Sequence, residues 1–299
     1  MSDWLVSLEG TAAGHDLALV LALMAAVLHA LFGALQKGRH DPWLSRAAID
    51  ACYGVMAVPF ALFVVPWPEL HMWPIFAGAV LIHIVYKVLQ AMTYTRGAFT
   101  VVYPVVRGTG PLFTVIGAGF VFGEVFAPGQ WAGLALLVGG ILGLAAWNLV
   151  HVTVDRATLV PALGLAVATG AMVAAYTTYD AYGIRATADP FTFLAWFFML
   201  DGFFIPAVTC RRWSRLARTE MIPLLQRGVL GAIVAYFSFG SIMLATRLDK
   251  VGEAAALRET STVFAALIGW LLLGEKVGPV RAGLMAVIAT GAVVMEFAG

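Results

Sequence analysis

Charge is scarce in this 299-residue chain: Asp, Glu, Lys and Arg together make up 12% of it. A soluble globular domain carries about 25%, so a water-facing surface wrapped around one core is excluded. Cysteine is nearly absent. Cys52 sits inside an apolar run and Cys210 abuts an arginine cluster, so the 2 cysteines are not expected to pair. A net charge of +1 gives no reason to expect nucleic acid as a partner. The 6 histidines (15, 29, 40, 71, 83 and 151) include no i, i+3 or i, i+4 pair, so neither a metal site nor a cofactor is expected. No Gly-x-x-x-x-Gly-Lys-Ser/Thr phosphate loop occurs, which excludes ATP hydrolysis by that route. Cys-x-x-Cys and Gly-x-Ser-x-Gly are missing too. The opening MSDWLVSLEG lacks a basic region, so the first apolar span is expected to be retained.

Apolar residues are what the chain has instead: 61% of the sequence, with a mean hydropathy of +0.89. A membrane-crossing helix takes about 20 apolar residues. Ten segments meet that length, at about 17–35, 44–65, 73–94, 98–122, 130–148, 159–179, 190–209, 226–247, 253–273 and 278–297. They lack the alternating pattern of a membrane β-barrel. The expectation is an all-α integral membrane protein of ten transmembrane helices in the lipid bilayer, with short connections and no sizeable soluble domain. Arg211, Arg212, Arg215 and Arg218 form the one basic cluster and read as a solvated loop.

The two halves of the chain echo each other. Arg107, Thr109, Phe113, Gly123 and Glu124 fall, at an offset of 151, on Arg258, Thr260, Phe264, Gly274 and Glu275. Asp41-Pro42 before the second segment likewise echoes Asp189-Pro190 before the seventh. With five spans in each half, 1–150 and 151–299, the second repeat enters the membrane inverted. Inverted repeats with a midplane site between them are a mark of secondary transporters.

Ala91-Met92-Thr93-Tyr94-Thr95-Arg96-Gly97-Ala98, Val102-Tyr103-Pro104, Gly110-Pro111-Leu112-Phe113 and Gly123-Glu124 carry a resemblance. With Leu273-Gly274-Glu275-Lys276 in the second half, the chain resembles the EamA-type branch of the drug/metabolite transporter superfamily. That resemblance implies two inverted five-helix repeats, alternating access and transport of small metabolites such as amino acids.

Ionisable side chains inside a bilayer cost about 2.5–3.5 kcal/mol each on insertion scales and are therefore informative. In the third segment His83, Lys87, Gln90 and Tyr94 share a stripe about 60° wide, which suits a helix lining a wet cavity or one making interhelical hydrogen bonds. In the fourth, Tyr103, Arg107, Gly110 and Thr114 do the same, with Pro104 and Pro111 loosening the backbone around Arg107. Arg258 in the ninth is its counterpart. On an unbroken helix Glu259 points about 100° away from Arg258, so it needs a partner elsewhere. The arginines read either as a substrate site or as an ion-pair network joining the halves. His29, Gly33 and Gln36 share a face of the first segment. Tyr176 and Asp180 share one in the sixth, where Asp180 stands near a helix end and could face water. Trp196 and Asp201 lie in the seventh and Tyr236 in the eighth. Gly139-x-x-x-Gly143 reads as a close helix contact.

The functional expectation is a secondary transporter of a small anionic or zwitterionic metabolite bearing carboxylate or phosphate. Arg107, Arg258, Glu259, Tyr103, His83, Lys87, Gln90, His29, Tyr176, Trp196 and Tyr236 are its candidate binding residues. Glu259 and Asp201 are candidates for proton coupling. Three cations, Arg107, Arg258 and Lys87, stand against one well-placed acid, Glu259, and guanidinium matches a carboxylate or phosphate fork. The rival is an integral-membrane enzyme acting on a lipid-linked phosphate. Monomer and homodimer both stay open, and the expected compartment is a bacterial-type inner (plasma) membrane. A cytoplasmic N-terminus leaves 3 basic residues on the cytoplasmic side and 12 on the other. That runs against the positive-inside rule, so both termini are expected outside.

Overall fold

A computed structural model describes residues 2–36, 41–97, 99–151, 156–273 and 278–299. Among these the regular structure is α-helical throughout. The helices are α1 (Asp3–Ser7), α2 (Ala12–Gln36), α3 (Pro42–Phe63), α4 (Met72–Arg96), α5 (Phe99–Phe122) and α6 (Pro128–His151). The second half holds α7 (Arg156–Ala186), α8 (Pro190–Asp201), α9 (Phe204–Trp213) and α10 (Arg218–Leu248). It closes with α11 (Val251–Arg258), α12 (Ser261–Leu273) and α13 (Pro279–Phe297).

Nine stretches among the described residues are long and apolar enough to cross a bilayer: α2 to α7, α8 with α9, α10 and α13. The expected ninth segment, 253–273, is the exception to the ten. It is split into α11, of 8 residues, and α12, of 13. The break has a local cause. The N–H groups of Glu259 and Thr260 donate to the carbonyls of Ala256 and Leu257, three residues back, each at 3.0 Å. The Thr260 hydroxyl also donates to the Leu257 carbonyl, at 2.7 Å. One tightened turn of this kind changes the rotation between α11 and α12, and mid-helix turns of this type often mark functional sites.

The paired Asp-Pro motifs are helix starts. Asp41 and Asp189 each precede a proline at the first helical position, and their carboxylates accept the N–H groups of Trp43 (2.7 Å) and Phe191 (2.8 Å). The Gly-Glu motif is explained for its first copy. Gly123 turns the chain out of α5 with a φ of 68°. Glu124 then accepts the N–H groups of Val251 (2.7 Å) and Gly252 (3.1 Å), so a carboxylate from the first half caps α11 of the second. The second copy, Gly274-Glu275, lies outside the described residues, as do Lys276 and residues 37–40.

Burial pushes the Glu124 carboxyl above its usual range, while its two backbone donors pull the other way. The folded chain therefore holds this proton more tightly than the unfolded chain. Its contribution to stability falls as pH rises through and beyond the usual carboxylate range. Glu124→Gln is expected to keep a cap and flatten that pH dependence. Glu124→Ala is expected to lose about 1 kcal/mol with the cap. Thermal unfolding of the purified protein across pH checks both.

Glycine sets one helix contact. A Cβ on Gly133 of α6 would lie 2.8 Å from the Gly291 carbonyl oxygen of α13, and one on Gly140 would lie 2.7 Å from Ile288 Cγ1. The two backbones touch there. Gly139 faces open space, so the close contact runs through Gly133, Gly140 and Gly143 rather than through the Gly139-Gly143 pair alone. Elsewhere α2 packs on α10 as α7 packs on α4, and α2 meets α11 and α12 as α7 meets α5. In the same way α3 meets α10 as α8 meets α4, and α5 meets α6 as α12 meets α13.

Candidate functional site

Two buried polar centres occupy the interior. The first is built on the broken helix. Arg107 stands on α5, where Pro111 cannot donate to its carbonyl four residues before. Gly108 and Gly110 bring α6 and α7 close on either side: a Cβ at these positions would lie 3.2 Å from Ile141 and 3.3 Å from Val173. Arg107 Nε lies 2.8 Å from Glu259 Oε2, and its second terminal nitrogen donates to Ser261 Oγ at 2.9 Å. Arg258 Nε lies 3.7 Å from the other carboxylate oxygen, Oε1. A terminal nitrogen of Arg258 reaches Thr177 Oγ1 at 3.5 Å. All three are buried, with Glu259 1% exposed. The tightened turn explains why adjacent Arg258 and Glu259 meet after all, against the expectation for a continuous helix. Neither Glu259 oxygen accepts a well-aligned hydrogen bond: the contacts with the arginines are ion pairs off the N–H axis. Two guanidinium groups on one carboxylate leave a net positive charge.

A narrow cavity of about 20 Å³ adjoins Arg107, lined also by His29, Gly33, Gln90, Tyr94, Tyr103 and Phe239. Four of the sequence-chosen residues therefore meet in one place: His29, Gln90, Tyr103 and Arg107. The space holds about one water, not a metabolite. Gln90 Nε2 donates to Tyr86 Oη at 2.6 Å, and Arg107 sits 6.0 Å over the Tyr103 ring. The Gln36 side chain lies outside the described residues.

In the second centre Lys87, one of the three cations set against Glu259, is paired with carboxylates. Lys87 Nζ donates to Asp50 Oδ2 and Asp201 Oδ2, both at 2.7 Å, to Tyr53 Oη at 2.9 Å and to the Asp201 carbonyl at 3.1 Å. Tyr53 in turn donates to Asp201 Oδ2. Arg46 Nε donates to Asp50 Oδ1 at 2.7 Å. Two cations meet two carboxylates, so this centre is neutral and Lys87 is not available to a solute. Close approach makes it possible: a Cβ on Gly202, beside Asp201, would lie 2.6 Å from Gly54 Cα and 2.8 Å from the Asp50 carbonyl oxygen. Asp50, Arg46 and Tyr53 were not among the residues singled out from sequence. The available signal was the Arg46–Asp50 pair at i, i+4 inside an apolar segment.

His83 pairs with Asp180 at 2.8 Å, both side chains buried. Asp180 thus faces the bundle, not water. Tyr176 packs between His83 and Tyr86, with ring centroids 4.7 and 4.8 Å away. Trp196 and Tyr236 do not line the cavity. Trp196 joins Trp67 and Trp73 in an aromatic cluster at 5.0 and 5.2 Å, and Tyr236 packs on Phe198 at 4.7 Å.

The cavity is formed late in α2 and α4 and early in α5. The opposite end of the bundle is tied shut. Arg247 Nε pairs with Glu9 Oε1 at 2.5 Å, and a terminal nitrogen donates to the carbonyls of Ile184 and Thr187. Arg185 donates to the carbonyls of Thr246 (2.8 Å) and Asp249 (2.7 Å).

Three likenesses bear on this arrangement. A solved crystal structure, described simply as that of a protein, superposes with a TM-score of 0.74 at 16% identity, covering 96% of this chain and 99% of that one. At such identity the likeness shows the fold alone. An uncharacterized protein, y4nH, of Sinorhizobium fredii (strain NBRC 101917 / NGR234) is 27% identical over 103 residues. That stretch is 33% of this chain and 88% of the relative. Residues 160–297 match the model of the EamA-like transporter family, a segment that contains Arg258 and Glu259. Over that segment the chain is similar to EamA-like transporters, in keeping with the sequence resemblance.

Proposed function

We propose that the chain is a secondary transporter of a small anionic or zwitterionic metabolite, of the amino-acid or organic-acid class, working by alternating access. One observation carries the reading: an arginine from each half converges on a single buried carboxylate beside a polar cavity. The excess positive charge at low dielectric attracts an anion, and a guanidinium offers it a bidentate fork. Glu259 receives the ammonium of a zwitterion or carries the coupling proton; Asp201, held by Lys87, is the second candidate for that proton. The cavity is too small for a solute as it stands, so admission requires α2, α4, α5 and α10 to move apart, while the Arg247–Glu9 end stays closed.

The paired packing of α2 on α10 and α7 on α4, with its companions, supports two inverted repeats, 1–150 and 151–299. In that reading α11 and α12 together form the ninth of ten spans, a broken helix at the site, as in other transporters with midplane sites. The setting is a bacterial-type inner membrane, and the protein acts as monomer or homodimer.

Uptake into proteoliposomes containing only this protein tests the function. Saturable accumulation of a carboxylate- or phosphate-bearing solute is expected. Turnover of a lipid-linked phosphate without solute flux would favour an enzyme and overturn the reading. The charge distribution supports both termini outside, with the basic stretch 210–227, at the end of α9 and the start of α10, cytoplasmic. A C-terminal green fluorescent fusion is accordingly expected to stay dark in cells, and fluorescence would reverse the orientation.

A further inference from the structure

At the closed end of the bundle, four ligand-type side chains from three separate stretches of sequence come together. His15 lies on α2, Asp249 and Glu253 flank the start of α11, and Glu296 is at the end of α13. One ligand atom each of His15, Asp249 and Glu253 lie within 4.8 Å of one another. Ligands at 2.0–2.6 Å from a shared ion are separated by at most roughly 4–5 Å. His15 Nδ1 is 2.6 Å from Asp249 Oδ2, and its Nε2 is 3.5 Å from Glu296 Oε1.

Glu296 backs the cluster from the far side of the His15 ring. Its side chain is 3% exposed, yet Oε1 accepts no hydrogen bond. A buried carboxylate oxygen without a donor is costly unless a cation or proton meets it. Three carboxylates gather here against one nearby free-swinging cation, Lys250. Its Nζ is 2.8 Å from Glu253 Oε1 and its side chain is 38% exposed, so it can leave for water. Gln130 also donates to Glu253 Oε1, at 2.5 Å, and Arg185 contacts the Asp249 backbone rather than its carboxylate.

We propose that His15 Nδ1, Asp249 and Glu253 form a divalent transition-metal site that ties α2 to the start of α11, with Glu296 of α13 receiving the His15 Nε2–H from behind and fixing the ring. Imidazole with carboxylate oxygens suits Zn²⁺, Mn²⁺ or Co²⁺ better than Ca²⁺ or Mg²⁺, which take oxygen alone. Linear spacing conceals such a site because no two ligands except Asp249 and Glu253 are near in sequence. The site is independent of the solute carried.

The test uses the full chain purified in detergent and titrated with Zn²⁺ and with Co²⁺. One ion per chain is expected, with a rise in Tm and visible Co²⁺ absorption typical of mixed nitrogen and oxygen ligation. His15→Ala and Glu296→Gln should each weaken binding at least tenfold, while Lys250→Ala, which frees Glu253, should strengthen it. Lys250→Ala keeps the test decisive if a ligand variant folds poorly. No binding, or binding indifferent to both His15→Ala and Lys250→Ala, overturns the proposal.

Discussion

Replacing Arg107 by alanine is expected to abolish transport and to lower Tm at the same time. The variant strands Glu259 in the interior with only the longer Arg258 contact at 3.7 Å. Breaking a buried pair by removing one partner costs roughly 3–5 kcal/mol, because an uncompensated charge remains. Losing the guanidinium from a substrate's carboxylate costs roughly 2–5 kcal/mol of binding. A companion variant separates the two effects. Arg107→Ala with Glu259→Gln removes the stranded charge, so Tm should largely recover while solute binding stays lost. Arg107→Lys keeps a charge near Glu259 but cannot also reach Ser261 in the same fork, so it should fall between. Arg258→Ala should act in the same direction and less strongly on stability, since its contacts are 3.5 and 3.7 Å. Normal transport by both alanine variants contradicts the assignment.

Lys87→Met is expected to give a comparably large loss of stability. Asp50 and Asp201 then share a fully buried pocket with Arg46 as the remaining cation, one charge in excess. Lys87 is 2% exposed and donates to four oxygens, so nothing in the surroundings replaces it. A penalty of roughly 3–5 kcal/mol follows from the same uncompensated-charge effect. The charge-balanced double variant, Lys87→Met with Asp201→Asn, leaves Arg46 facing Asp50 and should regain most of it. Thermal unfolding of the three proteins in detergent makes the comparison. Equal Tm values for the single and double variants would show that charge balance is not what holds this centre.

Much of the architecture is legible in hydropathy because a bilayer imposes length and apolarity on every crossing segment. Arg107 and Glu259 stand out for the same reason: an ionisable group inside such a segment is costly enough to mean something. What stays hidden depends on deviations from ideal helices and on long-range neighbours. The rule that adjacent helix residues diverge by about 100° fails at Glu259, where two i→i+3 hydrogen bonds alter the rotation. The neutralisation of Lys87 needs α3, α4 and the α8–α9 junction in contact, and the Gly54–Gly202 approach that allows it has no periodic signature. Trp196 and Tyr236 share the composition of cavity aromatics but pack on other rings, a difference that only tertiary contacts decide. Glu124 reads as half of a repeated motif, whereas its role as the cap of a helix 127 residues away is a product of folding.

The most direct test measures solute-dependent stabilisation of the purified protein with matched compounds differing only in charge: an organic acid, its amide and a cationic analogue. Ligands that bind the folded state raise Tm by mass action. The acid is expected to raise Tm in the wild type and to lose that effect in Arg107→Ala with Glu259→Gln, whereas amide and cation leave it unmoved. Stabilisation by the cation, undiminished in that double variant, would contradict an anion-recognising arginine centre.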